Sequence, residues 1–165
     1  NFLFKKIKDK TDIKLVNINN FKLEKASINI FMGVINPTLF HYAKINQLSN
    51  VEVWGTGKAR REFMHVTDLA KACLFLLENY SNSSHINVGT GTDVSIYDFA
   101  YLIKEIVDYN GQITFDSSKP DGTMLKKLDT SKINDLGWKA EIDLKTGLIE
   151  TYNWALKNKV FENEY

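Results

Sequence analysis

Cysteine is almost missing from this chain: Cys73 is the only one among 165 residues. A lone thiol excludes an internal disulfide and suits a reducing, cytoplasmic compartment. Excess charge is missing as well. There are 21 basic and 20 acidic residues, a net charge of +1, so no global field draws the chain to nucleic acid or a membrane surface. No apolar run approaches the ~20 residues of a membrane-spanning helix, and Lys5, Lys6, Lys8 and Lys10 break up any signal-peptide core. Histidine is limited to His41, His65 and His85, none at metal-ligand spacing from a cysteine or carboxylate. There is no Gly-x-Ser-x-Gly elbow, no Gly-Lys-Ser/Thr loop and no His-Glu-x-x-His helix. Nor is any tyrosine followed four residues later by lysine. The residues on their own support anion binding and no catalytic cluster.

What is present is ordinary for a folded domain. The apolar share is 44% and the charged share 25%, on a length that can bury one real core. No internal repeat, low-complexity tract or interdomain linker interrupts it. The chain opens on Asn1 rather than methionine, which suggests a fragment.

The stretch Val51 to Val66 organises the rest. A short β-type run passes through Gly55 and Gly57 and delivers Arg60, Arg61 and Glu62 ahead of an apolar helix pattern. Two glycines allow a sharp turn and close approach to a ligand, and arginine placed after it can grip a phosphate with two parallel hydrogen bonds. Upstream, Asn17, Asn19 and Asn20 favour a turn, Ile28 to Val34 is apolar without a decisive period, and Leu39 to Gln47 reads as a short helix.

Downstream, Val66, Leu69, Ala70, Cys73, Leu74 and Leu77 recur at helical spacing and predict a core-facing stripe that buries Cys73, with Thr67 or Asp68 as cap. Ile86-Asn87-Val88 reads as a brief strand. Gly89-Thr90-Gly91 resembles a phosphate cradle but lacks the third glycine and the later acidic residue of a dinucleotide fingerprint, so it reads as a structural turn. Ser95 caps a second helix with the stripe Ile96, Phe99, Ala100, Ile103, Ile106 and Val107. Ile113 to Phe115 is a strand, and Lys119-Pro120-Asp121-Gly122 is a turn. Leu128-Asp129 reads as extended, Ser131 as the cap of one turn, and Asp143 as the cap of a last helix with Leu144, Leu148, Tyr152 and Leu156 on one side. Strands alternating with helices of roughly 12 residues make an α/β or α+β unit.

Taken in order, Val53-Trp54-Gly55-Thr56-Gly57-Lys58-Ala59-Arg60-Arg61-Glu62-Phe63-Met64-His65-Val66, Asp68-Leu69-Ala70, His85 to Gly91, Phe115 to Thr123, Leu136-Gly137-Trp138 and Gly147 through Tyr152 resemble the C-terminal half of the GDP-L-fucose synthases. These are extended short-chain dehydrogenase/reductases of the NAD-dependent epimerase/dehydratase family, which epimerise and reduce GDP-4-keto-6-deoxy-D-mannose with NADPH. The resemblance implies an α/β fold that is the small C-terminal substrate-binding domain of such an enzyme, with the Rossmann half missing. It divides the chain into a poorly matching segment, residues 1–43, and a sugar-nucleotide-binding domain, residues 44–165.

It also implies roles. Trp54 would help form the nucleotide pocket, Arg61 would hold the diphosphate, Asp121 would accept hydrogen bonds from the nucleotide, and Lys126 would add positive charge. NADP(H) would serve the complete enzyme, with none expected to bind this chain alone. The partners implied are a GDP-sugar and a separate N-terminal cofactor-binding chain, with no nucleic acid and no membrane. The sequence departs from the pattern in places: Ser27 stands for a histidine, Ala59 for a proline, Met124 and Leu125 for a Pro-Arg pair, and a substrate-binding arginine after Pro37 is missing. The expectations are therefore a sugar-nucleotide-binding part without turnover of its own, a non-catalytic binding module, or the remnant of a disrupted gene.

Overall fold

Alternation of buried and exposed positions starts the architecture. In the computed structural model, which describes residues 37–163, strand β1 (Asn50–Trp54) turns Val51 and Val53 inward and leaves Asn50, Glu52 and Trp54 outside. Helix α1 (Pro37–Ile45) precedes it. After it come β2 (Arg60–Arg61), α2 (Val66–Asn79), β3 (Val94–Ser95), α3 (Ile96–Val107) and β4 (Gln112–Asp116). The chain continues through β5 (Leu125–Lys126), α4 (Ser131–Asp135), α5 (Leu144–Lys157) and a 3-10 turn at Val160–Asn163.

The strands form two small sheets. β1 pairs with β4 in parallel, Val53 opposite Phe115 and Trp54 opposite Asp116. β2 lies between antiparallel β3 and parallel β5, with Arg61 opposite Val94 on one side and Lys126 on the other. A parallel pair cannot be closed by a hairpin, and the crossover from β1 to β4 carries α2 and α3.

The helices begin where the sequence supplies an acceptor for an orphan N–H. Ser95 Oγ accepts from Asp98 N at 3.0 Å to start α3, and Asp143 Oδ1 accepts from Thr146 N at 3.0 Å to start α5. α3 then buries the stripe Ile96, Phe99, Ala100, Ile103 and Val107 and ends in Asp108, whose φ of 57° is the left-handed cap conformation. This stripe packs with Phe40 and Ala43 of α1, Val51 and Val53 of β1, and Leu148, Tyr152 and Ala155 of α5 to form the main core. The division between residues 43 and 44 falls inside α1. A second, smaller core gathers Ala72 of α2, Ile133 of α4 and Trp138, with Met64, Phe75, Leu76, Ile86, Val88 and Ala140 packed against it.

Several expectations change. α2 is capped by His65, whose Nδ1 accepts from Thr67 N at 3.3 Å, and not by Thr67 or Asp68. Its buried residues are Asp68 and Ala72, whereas Ala70, Cys73, Leu74 and Leu77 are exposed. The stripe and its opposite are both apolar, and packing selected the side that meets Ile133 and Trp138. Asp68 is buried because its Oδ2 accepts from Glu141 N at 3.0 Å and Ile142 N at 2.9 Å.

Ile86 to Val88 pairs with no strand among the described residues. Pairing near Leu128 occurs instead at Leu125–Lys126, because those residues reach β2. Thr130, not Ser131, occupies the cap position of α4, and Asp129 Oδ1 accepts from Ser131 N at 3.0 Å. Leu156 is exposed, its place in the core taken by Ala155. The expected turn at residues 17–20 and the apolar stretch at residues 28–34 lie outside the described residues.

Candidate functional site

Two loops make the site, residues 54–61 after β1 and residues 116–126 between β4 and β5. The first is fixed from below: Tyr97 N donates to Gly57 O at 2.9 Å and Ile96 N to Ala59 O at 2.8 Å, so its floor is the start of α3. The second is tied to it by Thr56 and Asp121. Thr56 N donates to Asp121 Oδ1 and Thr56 Oγ1 to Asp121 Oδ2, both at 2.7 Å. The threonine hydroxyl, ahead of every other influence, holds the Asp121 carboxyl below the usual carboxylate range. Gly55 permits this approach. Its φ is +90°, and a Cβ there would stand 2.5 Å from Asp121 Oδ1.

Arg61 completes the brace. Its Nη1 donates to Arg60 O at 2.7 Å and Thr123 O at 2.6 Å, and its Nη2 reaches Asp121 O at 3.4 Å. A guanidinium has five donors; Nε–H and one Nη2 proton therefore remain for a bidentate anion. Arg60 next door is engaged in a different direction, pairing with the Asp93 carboxylate, which lies below its ordinary range chiefly through that hydrogen bond. Lys126 sits opposite Arg61 in the β2–β5 register; its backbone carbonyl accepts from Glu62 N at 3.2 Å, and its ammonium has no hydrogen bond or ion pair among the described residues. It lines an open cleft of about 500 Å³ with Glu62, Met64, Val88, Gly89, Lys127 and Leu128.

Trp54 stands at the end of β1 with 63% of its surface exposed, so it is not a core residue. Lys119 Nζ lies over its ring, 5.5 Å from the centroid. All four residues singled out from the sequence, Trp54, Arg61, Asp121 and Lys126, thus lie on or beside the two loops. A flat aromatic face, a half-free guanidinium and an unpaired ammonium form a surface suited to a phosphorylated ligand bearing a ring.

Three further residues shape this surface. Thr56 holds Asp121; the signal for it was a lone hydroxyl between two glycines, facing a Pro-Asp-Gly turn. Lys119 covers Trp54, and its place at the head of that turn pointed there. Glu62 had no signal beyond its position after Arg61. Its Oε1 accepts from Gly91 N at 2.8 Å and its Oε2 from Leu128 N at 2.7 Å. A Cβ on Gly89 would overlap Glu62 Oε1, which is why a glycine serves there. Gly89 to Gly91 is therefore a structural turn, its amide already bound by a side-chain carboxylate, and it offers a dinucleotide no phosphate cradle. Among the described residues no group of three or more histidine, cysteine, aspartate or glutamate side chains could hold a metal ion. No helix among them is long and apolar enough to cross a membrane.

Comparison with known proteins adds the lineage. The family model described as the NAD dependent epimerase/dehydratase family matches residues 4–89, just over half of the chain. A probable GDP-L-fucose synthase 1 of Oryza sativa subsp. japonica is 50% identical over 121 residues, 73% of this chain and 37% of that protein. The solved structure of a GDP-mannoheptose C4 reductase from Campylobacter jejuni with NADP bound is 39% identical at a TM-score of 0.64, over 73% of this chain and 43% of its own. That of a GDP-L-fucose synthetase from Naegleria fowleri bound to NADP aligns at a TM-score of 0.72 and 26% identity, over 81% of this chain and 43% of its own. The chain thus spans less than half the length of each relative. It has an α/β fold like theirs and belongs to the NAD dependent epimerase/dehydratase family, among relatives that include GDP-L-fucose synthases.

Proposed function

We propose that this chain supplies the GDP-sugar-binding face of a GDP-L-fucose synthase-like enzyme, acting in the cytoplasm on GDP-4-keto-6-deoxy-D-mannose. The cofactor NADP(H) and the catalytic tyrosine and lysine would be held by an N-terminal half outside these residues, on a separate chain or a longer one. The observation that carries the reading is the joint placement of Trp54, Arg61 and Asp121 on two loops braced to each other, with two guanidinium protons uncommitted. Arg61 and Lys126 face the diphosphate, Trp54 the base or sugar plane, and Asp121 the nucleoside donors.

Calorimetric titration of the 165-residue chain with GDP, and with UDP as control, tests it. GDP is expected to bind and UDP to bind more weakly. Arg61→Ala is expected to weaken GDP by about tenfold or more, the scale of a lost charge-assisted contact. Equal binding of both nucleotides, or unchanged affinity in Arg61→Ala, overturns the assignment. A folded chain that binds neither nucleotide would favour a remnant whose site has lapsed.

A further inference from the structure

Helix α3 passes to β4 through Asn110-Gly111, the one Asn-Gly pair in the sequence. Packing requires the glycine: a Cβ on it would overlap the hydroxyl of the buried Tyr109, which donates to Leu48 O at 3.0 Å. The amides on either side are held. Tyr109 N donates to Lys104 O at 3.0 Å, and Gln112 N donates to Ser49 O at 2.8 Å. Between them, the Gly111 N–H and the exposed Asn110 side chain have no hydrogen-bond partner among the described residues. A carboxamide and the next backbone nitrogen are thus both uncommitted, and no Cβ screens the nitrogen. Lys104 Nζ donates to Gly111 O at 2.6 Å, and a positive charge at that place favours the anionic form of the neighbouring peptide nitrogen.

We propose that Asn110 is a site of spontaneous covalent modification, converting to isoaspartate and aspartate through a cyclic imide closed by the Gly111 nitrogen. That nitrogen gives its proton to hydroxide and attacks Asn110 Cγ; the Cγ–Nδ2 bond breaks and ammonia leaves. Water then opens the ring. Attack at Cγ restores the ordinary main chain and leaves aspartate, whereas attack at the backbone carbonyl carbon leaves the chain running through Cγ as isoaspartate. Water is the one co-reactant, and nothing is oxidised or reduced. Isoaspartate lengthens the main chain by one carbon just ahead of Gln112, the first residue of β4, which lies opposite Asn50 of β1. The new carboxylate takes the net charge of the chain from +1 to zero. The one Asp-Gly pair, Asp121-Gly122, could close the same ring. There, however, both carboxylate oxygens are bound by Thr56 at 2.7 Å, which keeps them from the Gly122 nitrogen. The reactive pair is therefore the one whose groups the fold leaves free. The inference does not rest on the GDP-sugar reading, and its readouts involve no ligand.

The folded 165-residue chain, held in mildly alkaline buffer and sampled over time, tests this by peptide mapping with mass-spectrometric fragmentation that separates isoaspartate from aspartate. Asn110 is expected to convert at least about tenfold faster than any other asparagine, because glycine alone leaves the attacking nitrogen open. Its rate should lie within about tenfold of that in the chain unfolded in guanidinium, as for a segment whose opening costs little. Isoaspartate should accumulate alongside aspartate. Asn110→Gln, which would have to close a larger ring, is expected to abolish conversion at this position. Conversion in the folded chain more than about tenfold slower than in the unfolded chain shows that the fold protects the pair and overturns the proposal. Faster conversion at a different asparagine also overturns it. So does aspartate without isoaspartate, because that product marks direct hydrolysis with no attack by the Gly111 nitrogen.

Discussion

At the scale of single residues, the site is a matter of who holds whom. Asp121 is held by the hydroxyl and amide of Thr56, and Arg61 spends three of its five donors on carbonyls at Arg60, Asp121 and Thr123. The sequence singled out Arg61 after a Gly-x-Gly turn, and the family resemblance singled out Asp121 in its Pro-Asp-Gly turn; the structure brings the two side by side, Arg61 Nη2 reaching Asp121 O at 3.4 Å. Thr56 was not legible in that way. Its importance lies in a contact across 65 positions, which no local spacing announces. The Thr56→Val variant isolates it. Loss of the hydroxyl removes the largest influence that depresses the Asp121 carboxyl, so that group should titrate closer to the ordinary ~4 of aspartate. A carboxyl-carbon NMR titration checks this, and an unchanged titration would show that Thr56 does not set it. Because the folded-state value is depressed, the bond's stabilisation is present above about pH 4 and fades as pH falls below that value.

At the scale of elements, the helices with explicit caps start where the sequence placed them, though Leu156 of the α5 stripe is exposed, and the helix with two apolar faces was read the wrong way round. Ser95 and Asp143 are capping residues ahead of single, well-defined stripes, and α3 and α5 start where they stand. α2 offered a clean periodicity through Cys73 and Leu77, but periodicity does not say which of two apolar faces meets the core first. The face that meets Ile133 and Trp138 also carries Asp68. Its carboxylate, on the inner face and fully buried, accepts two backbone N–H groups of the loop that leads to α5. Asp68→Ala would leave those two amides without acceptors, which costs roughly 2 kcal/mol or more. The expected result is a lowered urea midpoint with an unchanged slope, along with faster amide exchange at Glu141 and Ile142. Equal protection at those two amides in the variant would show that the carboxylate does not anchor α2. The short strands were hardest to read. β2, β3 and β5 are two residues each, and their pairing depends on loops brought together by the rest of the fold.

At the scale of the whole molecule, the end of the chain is returned to the start of the described fold through one histidine. His41 of α1 places Nδ1 2.9 Å from the Tyr152 hydroxyl of α5 and stacks on Phe161 of the terminal 3-10 turn with ring centroids 4.2 Å apart. The sequence marked Tyr152 as a core position but gave no reason to join His41 to it, because the contact spans 111 residues. Burial first, and the nearby Lys44 charge second, push the His41 pKa below its ordinary value. The folded chain therefore favours neutral imidazole, whereas the unfolded chain takes up a proton near pH 6.5. Between the lowered value and about 6.5 the unfolded state binds more protons, so stability rises with pH across that window and is lost as the solution is acidified. The depressed carboxylates of Asp121, Asp93 and Asp143 act in the same direction, but only at a lower pH, near and below 4. The two windows can therefore be separated. Urea unfolding at half-unit steps from pH 7.5 to 5.5 should show a decline in the wild-type chain that is flatter in His41→Gln, whose side chain does not titrate. A decline of equal slope in both proteins would remove His41 from that role, and the acid sensitivity above pH 5 would then belong to some other group.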